Sequence, residues 1–355
     1  MIKKIYLFIF LIILYLIYLY RIKEFFRYFY TRRIKKKIIG FQVCGIGNGH
    51  LSQAKVIYDI MIKKYQIPVV IIYGQDKGYD NRFKFSKVIY VKTFTDTASI
   101  NSMDYSKIVA DICTLKNTKT YEDEYNVNIW FNFWINDWFN YRTKQYMIGN
   151  QLSISHFGLS TIFLINKLLS VTVPVSILMK NKYGKLTIPS LIDSSTLCRK
   201  NINRKIILAY SSIGEDFIKR LKLIALSNKN YTFHLFKNYN TQIKLPKNVI
   251  IHMTNKEEFK KYMKICGAVF ATAGLELTQE CVYNKIPVAI MPCSKVHFEQ
   301  MFNYNTYIYK YNWAVSMDKN LNLDKLTKRN MTIVSNKFRN AIKKRNSIIM
   351  NLTKS

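Results

Sequence analysis

The chain has 355 residues, 49% of them hydrophobic and 15% aromatic. That length makes two domains the natural expectation, and the composition excludes a disordered chain. Its 55 Lys and Arg against 21 Asp and Glu give a net charge of +34, which draws a protein toward nucleic acid or an anionic membrane surface. The basic residues are spread over the whole length and accompany a Lys-, Asn-, Ile-, Tyr- and Phe-rich composition of the kind an AT-rich genome produces, so charge alone does not select nucleic acid as a partner. The six cysteines, Cys44, Cys113, Cys198, Cys266, Cys281 and Cys293, include no CxxC pair and mostly fall in apolar runs such as "KICGAVF". That distribution favours buried reduced thiols over a disulfide framework or a zinc site.

The first predicted element is "IYLFIFLIILYLIYLY", an unbroken apolar run of 16 residues from Ile5 to Tyr20. A spanning helix needs about 17–25 residues, and Ile22, Phe25 and Phe26 extend this one. The run meets Arg21 directly, without the small residues of a cleavage site, so it is expected to be retained as an anchor that spans the membrane or lies on it. Two lysines precede it and eight basic residues follow it by Lys37, which orients the body of the protein toward the cytosol.

From residue 38 short apolar runs alternate with helical stretches. "KIIGFQVCG" predicts a strand, "HLSQAKVIYDIMIKKY" a helix and "IPVVIIYG" a strand. The pattern restarts at "RKIILAYSS", followed by helix "GEDFIKRLKLIALSN" and strands "YTFHLF" and "NVIIHM". Helix "KEEFKKYMKIC", strand "GAVFATA", a further helix and strand "VAIMP" complete it. Such alternation predicts an α/β protein with two Rossmann-like, doubly wound domains facing across a cleft, preceded by the N-terminal hydrophobic anchor helix. The boundary falls near 182–200, where Gly, Pro and Ser cluster. The aromatic stretch 95–145 yields no clear elements, and residues 321–355 predict a basic helical tail.

Two loops carry chemistry. The first strand ends in "CGIGNGHLSQ", where Gly45, Gly47 and Gly49 form GxGxG and not the GxGxxG of a dinucleotide site. Asp59 comes too early, and Asp76 late, for the ribose carboxylate expected about 20 residues on. The turn delivers His50 to the top of the sheet, where a partly exposed imidazole titrates near neutrality. In "ATAGLELTQE", Ala273 and Gly274 stand between a strand and a helix whose free first-turn N–H groups suit an anion such as a diphosphate. Glu280 follows, able to present a carboxylate to a ribose diol, and Glu299 and Gln300 come just after the next strand, placed to bond sugar hydroxyls.

The order G-x-G-x-G-H-x-x-Q, then A-G-x-x-x-x-x-E, P-x-x-x-x-P and E-Q-x-x-N resembles the GT-B glycosyltransferases over residues 38–318. It is most similar to the family 28 and family 1 types that use UDP-sugars, among them the bacterial lipid-linked N-acetylglucosaminyltransferase of peptidoglycan synthesis, the diacylglycerol glycosyltransferases and a group of microbial glycosyltransferase-like proteins. The resemblance implies an inverting glycosyltransferase that moves a sugar from a UDP-sugar to a lipid or lipid-linked acceptor at the cytosolic membrane face, without a metal or other cofactor. It implies His50 as general base, Ala273 and Gly274 at the diphosphate, Glu280 at the ribose, and Glu299 with Gln300 at the donor sugar. Asn150, Gln151 and His156, in "GNQLSISH", form a further candidate set, interrupted by Leu152, and Asp137 is a reserve base. Two departures stand near the phosphates: Leu277 where related enzymes often carry Ser or Thr, and the added negative charge of Glu276. The implied organisation is an anchor with basic juxtamembrane segment (1–37), an acceptor domain (38–190), a nucleotide-sugar domain (200–320) and the tail (321–355). A UDP-sugar 2-epimerase of the same fold and a non-catalytic, membrane-tethered scaffold that binds sugar nucleotides are the alternative readings.

Overall fold

A computed structural model describes residues 15, 37–44, 48–73, 81–91, 124–125, 127, 129–133, 144–150, 171–176, 188–195, 197–211, 215–237, 241–293 and 298–352. The chain divides into two compact units, residues 1–191 with 345–355, and residues 192–344.

The first unit contains a parallel sheet of β1 (Ile38–Cys44), β2 (Gln66–Tyr73), β3 (Lys87–Val91), β4 (Ile129–Phe133), β5 (Lys144–Asn150), β6 (Val171–Ser176) and β7 (Ile188–Pro189), in the order β3-β2-β1-β4-β5-β6-β7. Alternation along β1 sends Ile39, Phe41 and Val43 to one face. There they meet α1 (Asn48–Met61), whose Leu51, Ala54, Tyr58 and Met61 recur at helical spacing. Trp130 of β4 lies directly across from Gly40 of β1, and any Cβ at Gly40 would fall inside the indole. The glycine is there for that close approach.

The second unit holds β8 (Asn203–Tyr210), β9 (Thr232–Lys237), β10 (Val249–Met253), β11 (Cys266–Thr272), β12 (Val288–Met291) and β13 (Val315–Ser316), all parallel, in the order β10-β9-β8-β11-β12-β13. Every residue of the central strand β11 is buried, as a parallel sheet covered on both faces requires. Its helices are α2 (Glu215–Ser227), α3 (Lys256–Ile265), α4 (Leu275–Tyr283), α5 (Phe298–Asn305), α6 (Leu323–Thr327) and α7 (Thr332–Ile342). Phe217, Ile218, Leu221, Ile224 and Ala225 of α2 pack into the core with Phe233, Leu235 and Phe270 of the strands.

Residues 321–355 do not form one appendage. α6 and α7 belong to the second unit, where Ser335 Oγ and Arg339 Nε donate to the Tyr283 carbonyl at 2.9 and 2.8 Å and satisfy the end of α4. The last helix, α8 (Arg345–Leu352), belongs to the first unit: Ile349 and Leu352 join its core, and Arg345 Nη1 donates to the Ser190 carbonyl at 3.1 Å. Among the described residues no helix is long and apolar enough to cross a membrane. The run Ile5–Tyr20 lies outside them except for Tyr15, which is helical and exposed.

Candidate active site

In a doubly wound sheet, ligands sit beyond the carboxyl ends of the strands where the strand order reverses. That point lies between β1 and β4 in the first unit and between β8 and β11 in the second. The loop after β1 leads to His50, and the loop after β11 is Ala273-Gly274. The topology therefore brings both chemistry-bearing loops to switch points.

Gly45 and Gly47 lie outside the described residues, while Gly49 and His50 occupy the first turn of α1. His50 is partly buried, and desolvation lowers its pKa to about 4. The sequence predicts titration near neutrality; burial corrects that, because desolvation penalises the charged imidazolium. At neutral pH His50 is a neutral imidazole, competent to accept a proton. Asn150 ends β5, and Gln151, His156 and Asp137 lie outside the described residues.

At the second switch point, Gly274 is the N-cap of α4, in extended conformation with φ −70°. A Cβ at this glycine would meet nothing nearer than the Thr272 carbonyl at 3.9 Å. Neither backbone strain nor packing calls for glycine, and the missing side chain leaves the helix N-terminus bare, with no side-chain cap. The Ala273 N–H donates to the Met291 carbonyl at 2.8 Å and the Gly274 N–H to the Thr272 carbonyl at 2.6 Å. Those two amides shape the turn, so what α4 offers an anion is the first turn that follows, residues 275–277, together with the positive end of the helix dipole.

Glu280 lies farther along α4, and its pKa is raised to about 7. Burial is the main cause; the positive charges of Lys260 and Lys256 oppose it, and the negative charge of Asp193 adds to it. Lys260, on α3, donates to Asp193 Oδ2 at 2.6 Å. Burial alone would raise the pKa of Asp193, but bonds from Lys260 and Ser195 and the charge of Lys260 outweigh it and hold the carboxyl down at about 2. Behind α3, His252 bonds Glu258 Oε1 through Nδ1 at 3.1 Å and faces His234 Nδ1 through Nε2 at 2.9 Å, with Phe236 stacked on it at 4.5 Å. That cluster fixes the helix that carries Lys256 and Lys260.

Gln300, on α5, accepts the Cys293 N–H at its Oε1 at 2.8 Å and so braces the loop after β12. The side chain of Glu299 lies outside the described residues. Asn303, fully buried, donates to the Ala273 carbonyl at 3.1 Å and ties α5 to the β11–α4 turn. Its place in E-Q-x-x-N was visible in the sequence, but its task was not. Thr278 Oγ1 donates to the Gly274 carbonyl at 3.1 Å, and Gln279 Nε2 to Tyr307 Oη at 3.0 Å, fixing α4 from within. Cys266 and Cys281 are buried free thiols, and burial pushes the Cys266 thiol up to about 12.

Two parallel, doubly wound units with a candidate loop at each switch point make up the GT-B architecture, the fold of the solved glycosyltransferases to which the chain is similar. Residues 165–333 match the family model described as glycosyl transferase family 1. No curated protein matches the chain. Similar solved structures include the glycotransferase of kitacinnamycin, with 10% identity, a TM-score of 0.60 and coverage of 90% of this chain and 100% of that one. The glycosyltransferase SnogD from Streptomyces nogalater also shows 10% identity, with a TM-score of 0.61 and coverage of 90% and 100%. MurG of Acinetobacter baumannii shows 12% identity, a TM-score of 0.55 and the same coverage of 90% and 100%.

Proposed function

We propose that the chain transfers a sugar, with inversion, from a UDP-sugar to a lipid or lipid-linked acceptor at the cytosolic membrane face. The observation that carries the donor assignment is the pairing, on one helix at a switch point, of an uncapped glycine N-terminus with an ionisable carboxylate at Glu280. The diphosphate lies against residues 275–277, the ribose diol donates to Glu280, and Lys256 and Lys260 add positive charge for an anionic donor. Glu299 and Gln300 remain the candidates for the donor sugar. The lipid acceptor rests on the apolar run Ile5–Tyr20 and the basic segment after it, which hold the enzyme where such an acceptor resides.

In the transfer, neutral His50 takes the proton of the acceptor hydroxyl. The oxygen attacks the anomeric carbon from the face opposite the nucleotide, and the bond from that carbon to the diphosphate oxygen breaks. UDP departs with the bonding pair, and the charge gathering on its terminal phosphate meets the first turn of α4. Fixed dipoles stabilise such charge without reorganising, so the reading requires no metal. The test is incubation of the full chain in detergent with labelled UDP-sugars and a total lipid extract, with and without EDTA. Labelled lipid and free UDP in equal amounts, unaffected by EDTA, are expected. Release of free or epimerised sugar without an acceptor would overturn the proposal.

A further inference from the structure

A depression of about 770 Å³ opens on the second unit, at the end of the sheet opposite the donor loops. Its lining includes Asn203, which begins β8, Gly267, the second residue of β11, and Pro287, which precedes β12. In a parallel sheet these positions share the amino edge of the strands, so the depression is separate from the site above. Five of its eleven lining residues are cationic, Arg199, Arg204, Lys285, Lys328 and Arg329, and none is acidic. Asp324 is close enough for Lys328 to act on its charge, but it is engaged by Tyr231 at 2.6 Å and Lys205 at 3.4 Å.

Arg204, Lys285 and Lys328 are exposed and make no ion pair among the described residues. The two other arginines are built into the wall. Arg199 donates to the carbonyls of Cys266 and Lys285, and its Nε is left buried without an acceptor. Arg329 donates to the carbonyl and Oδ1 of Asn312 at 2.6 and 2.7 Å, and its Nη1 is left buried without one. Lys285 also occupies the position after the C-cap of α4 with φ 58°, where glycine is the usual residue.

We propose that this depression binds the phosphate group of a phosphate ester or of inorganic phosphate. Guanidiniums match the geometry of phosphate oxygens, and the exposed Arg204, Lys285 and Lys328 at this depression neutralise a multiply charged group. The chemistry is common to an anionic phospholipid headgroup and to free phosphate. Exposed Ile202 stands on the rim, beside the charges, in reach of an ester's apolar part.

The experiment titrates the full chain in neutral detergent at about 150 mM salt, where screening acts beyond about 8 Å, with inorganic phosphate, dihexanoyl phosphatidic acid and dihexanoyl phosphatidylcholine. The wild type is compared with Arg204→Glu/Lys285→Glu/Lys328→Glu, and with Arg204→Glu alone should the triple variant melt early. All keep the same donor loops, so a difference between them reports this depression, whether or not UDP binds elsewhere. The result expected is binding of phosphatidic acid, inorganic phosphate or both by the wild type, with at least tenfold loss in the variant. Preference for phosphatidic acid marks a headgroup site, and preference for inorganic phosphate a soluble ligand. Equal affinity in wild type and variant, absence of binding, or binding of phosphatidylcholine as tight as of phosphatidic acid would overturn the proposal.

Discussion

Replacing Glu280 with Gln separates what this residue does for the fold from what it does for the donor. Its folded-state pKa is raised from 4.5 to about 7. The raised value means that stability is fully present below the unfolded pKa near 4.5 and is lost as pH rises through 7, where the buried carboxyl must ionise. A shift of that size corresponds to about 3 kcal/mol, and to about 1–2 kcal/mol once partial exposure is allowed for. Glu280→Gln, which cannot ionise, is therefore expected to be more stable than the wild type by about 1–2 kcal/mol at pH 8 and equal to it near pH 4.5. Denaturant unfolding at the two pH values measures this. The same variant should bind UDP more weakly at pH 8 by about 1.5–3 kcal/mol, the worth of hydrogen bonds to a charged group, read by calorimetric titration. In the wild type, UDP affinity should fall about tenfold between pH 8 and pH 6, as the carboxylate population declines. A variant that is less stable at pH 8 and binds UDP as the wild type does would refute both assignments.

His50→Ala should lower turnover by about 10²–10⁴-fold, the usual contribution of a general base, while UDP affinity stays within a factor of about two on this account of separate roles. Because the pKa of His50 is about 4, the acidic limb of the rate profile should lie near pH 7, belong to Glu280 and vanish in Glu280→Gln; a limb that persists there contradicts this division of labour. Lys260→Met removes the partner that holds the pKa of Asp193 at about 2. That carboxylate's contribution is present above pH 3.8 and lost as pH falls through 2, so the variant should be destabilised at pH 7 by about 1 kcal/mol. Losing the lysine charge also raises the pKa of Glu280 further, so the pH at which UDP binds best should move upward; an unmoved profile would show that the two groups do not interact. Asn303→Ala should cost about 1–3 kcal/mol of stability, through the unpaired Ala273 carbonyl, and weaken UDP binding; unchanged melting would remove Asn303 from its bracing role.

The second unit was the more legible half. Apolar runs such as "GAVFATA" became fully buried β11, and Gly274 with Glu280 read as a site because the strand-turn-helix that carries them is a local pattern. The first unit was legible only at β1, α1 and β2. Among β3 to β7, Trp130 illustrates why: it fills the hole over Gly40, 90 residues earlier, and no local periodicity records such a pairing. The C-terminal segment looked like a basic tail because its charge hid Phe338, Ile342, Ile349 and Leu352, which are buried. The ties that set the site's shape, from Asn303 to Ala273 and from Lys260 to Asp193, join residues 30 and 67 apart. Burial is a property of the fold, so neither the low pKa of His50 nor the high pKa of Glu280 was available from residue type.

The central claim, that a nucleoside diphosphate rests on the first turn of α4, is tested most directly by titrating UDP into Gly274→Asp beside the wild type. A side chain has room at this position, and Asp is among the best N-caps, so the variant should melt no lower than the wild type. Its carboxylate would take the first-turn N–H groups and repel the diphosphate by about 4 kcal/mol for each pair of charges 4 Å apart at an effective dielectric of about 20. The account predicts UDP affinity lowered by at least about 100-fold with stability retained or improved. Wild-type UDP affinity in a folded Gly274→Asp would place the diphosphate elsewhere and contradict it.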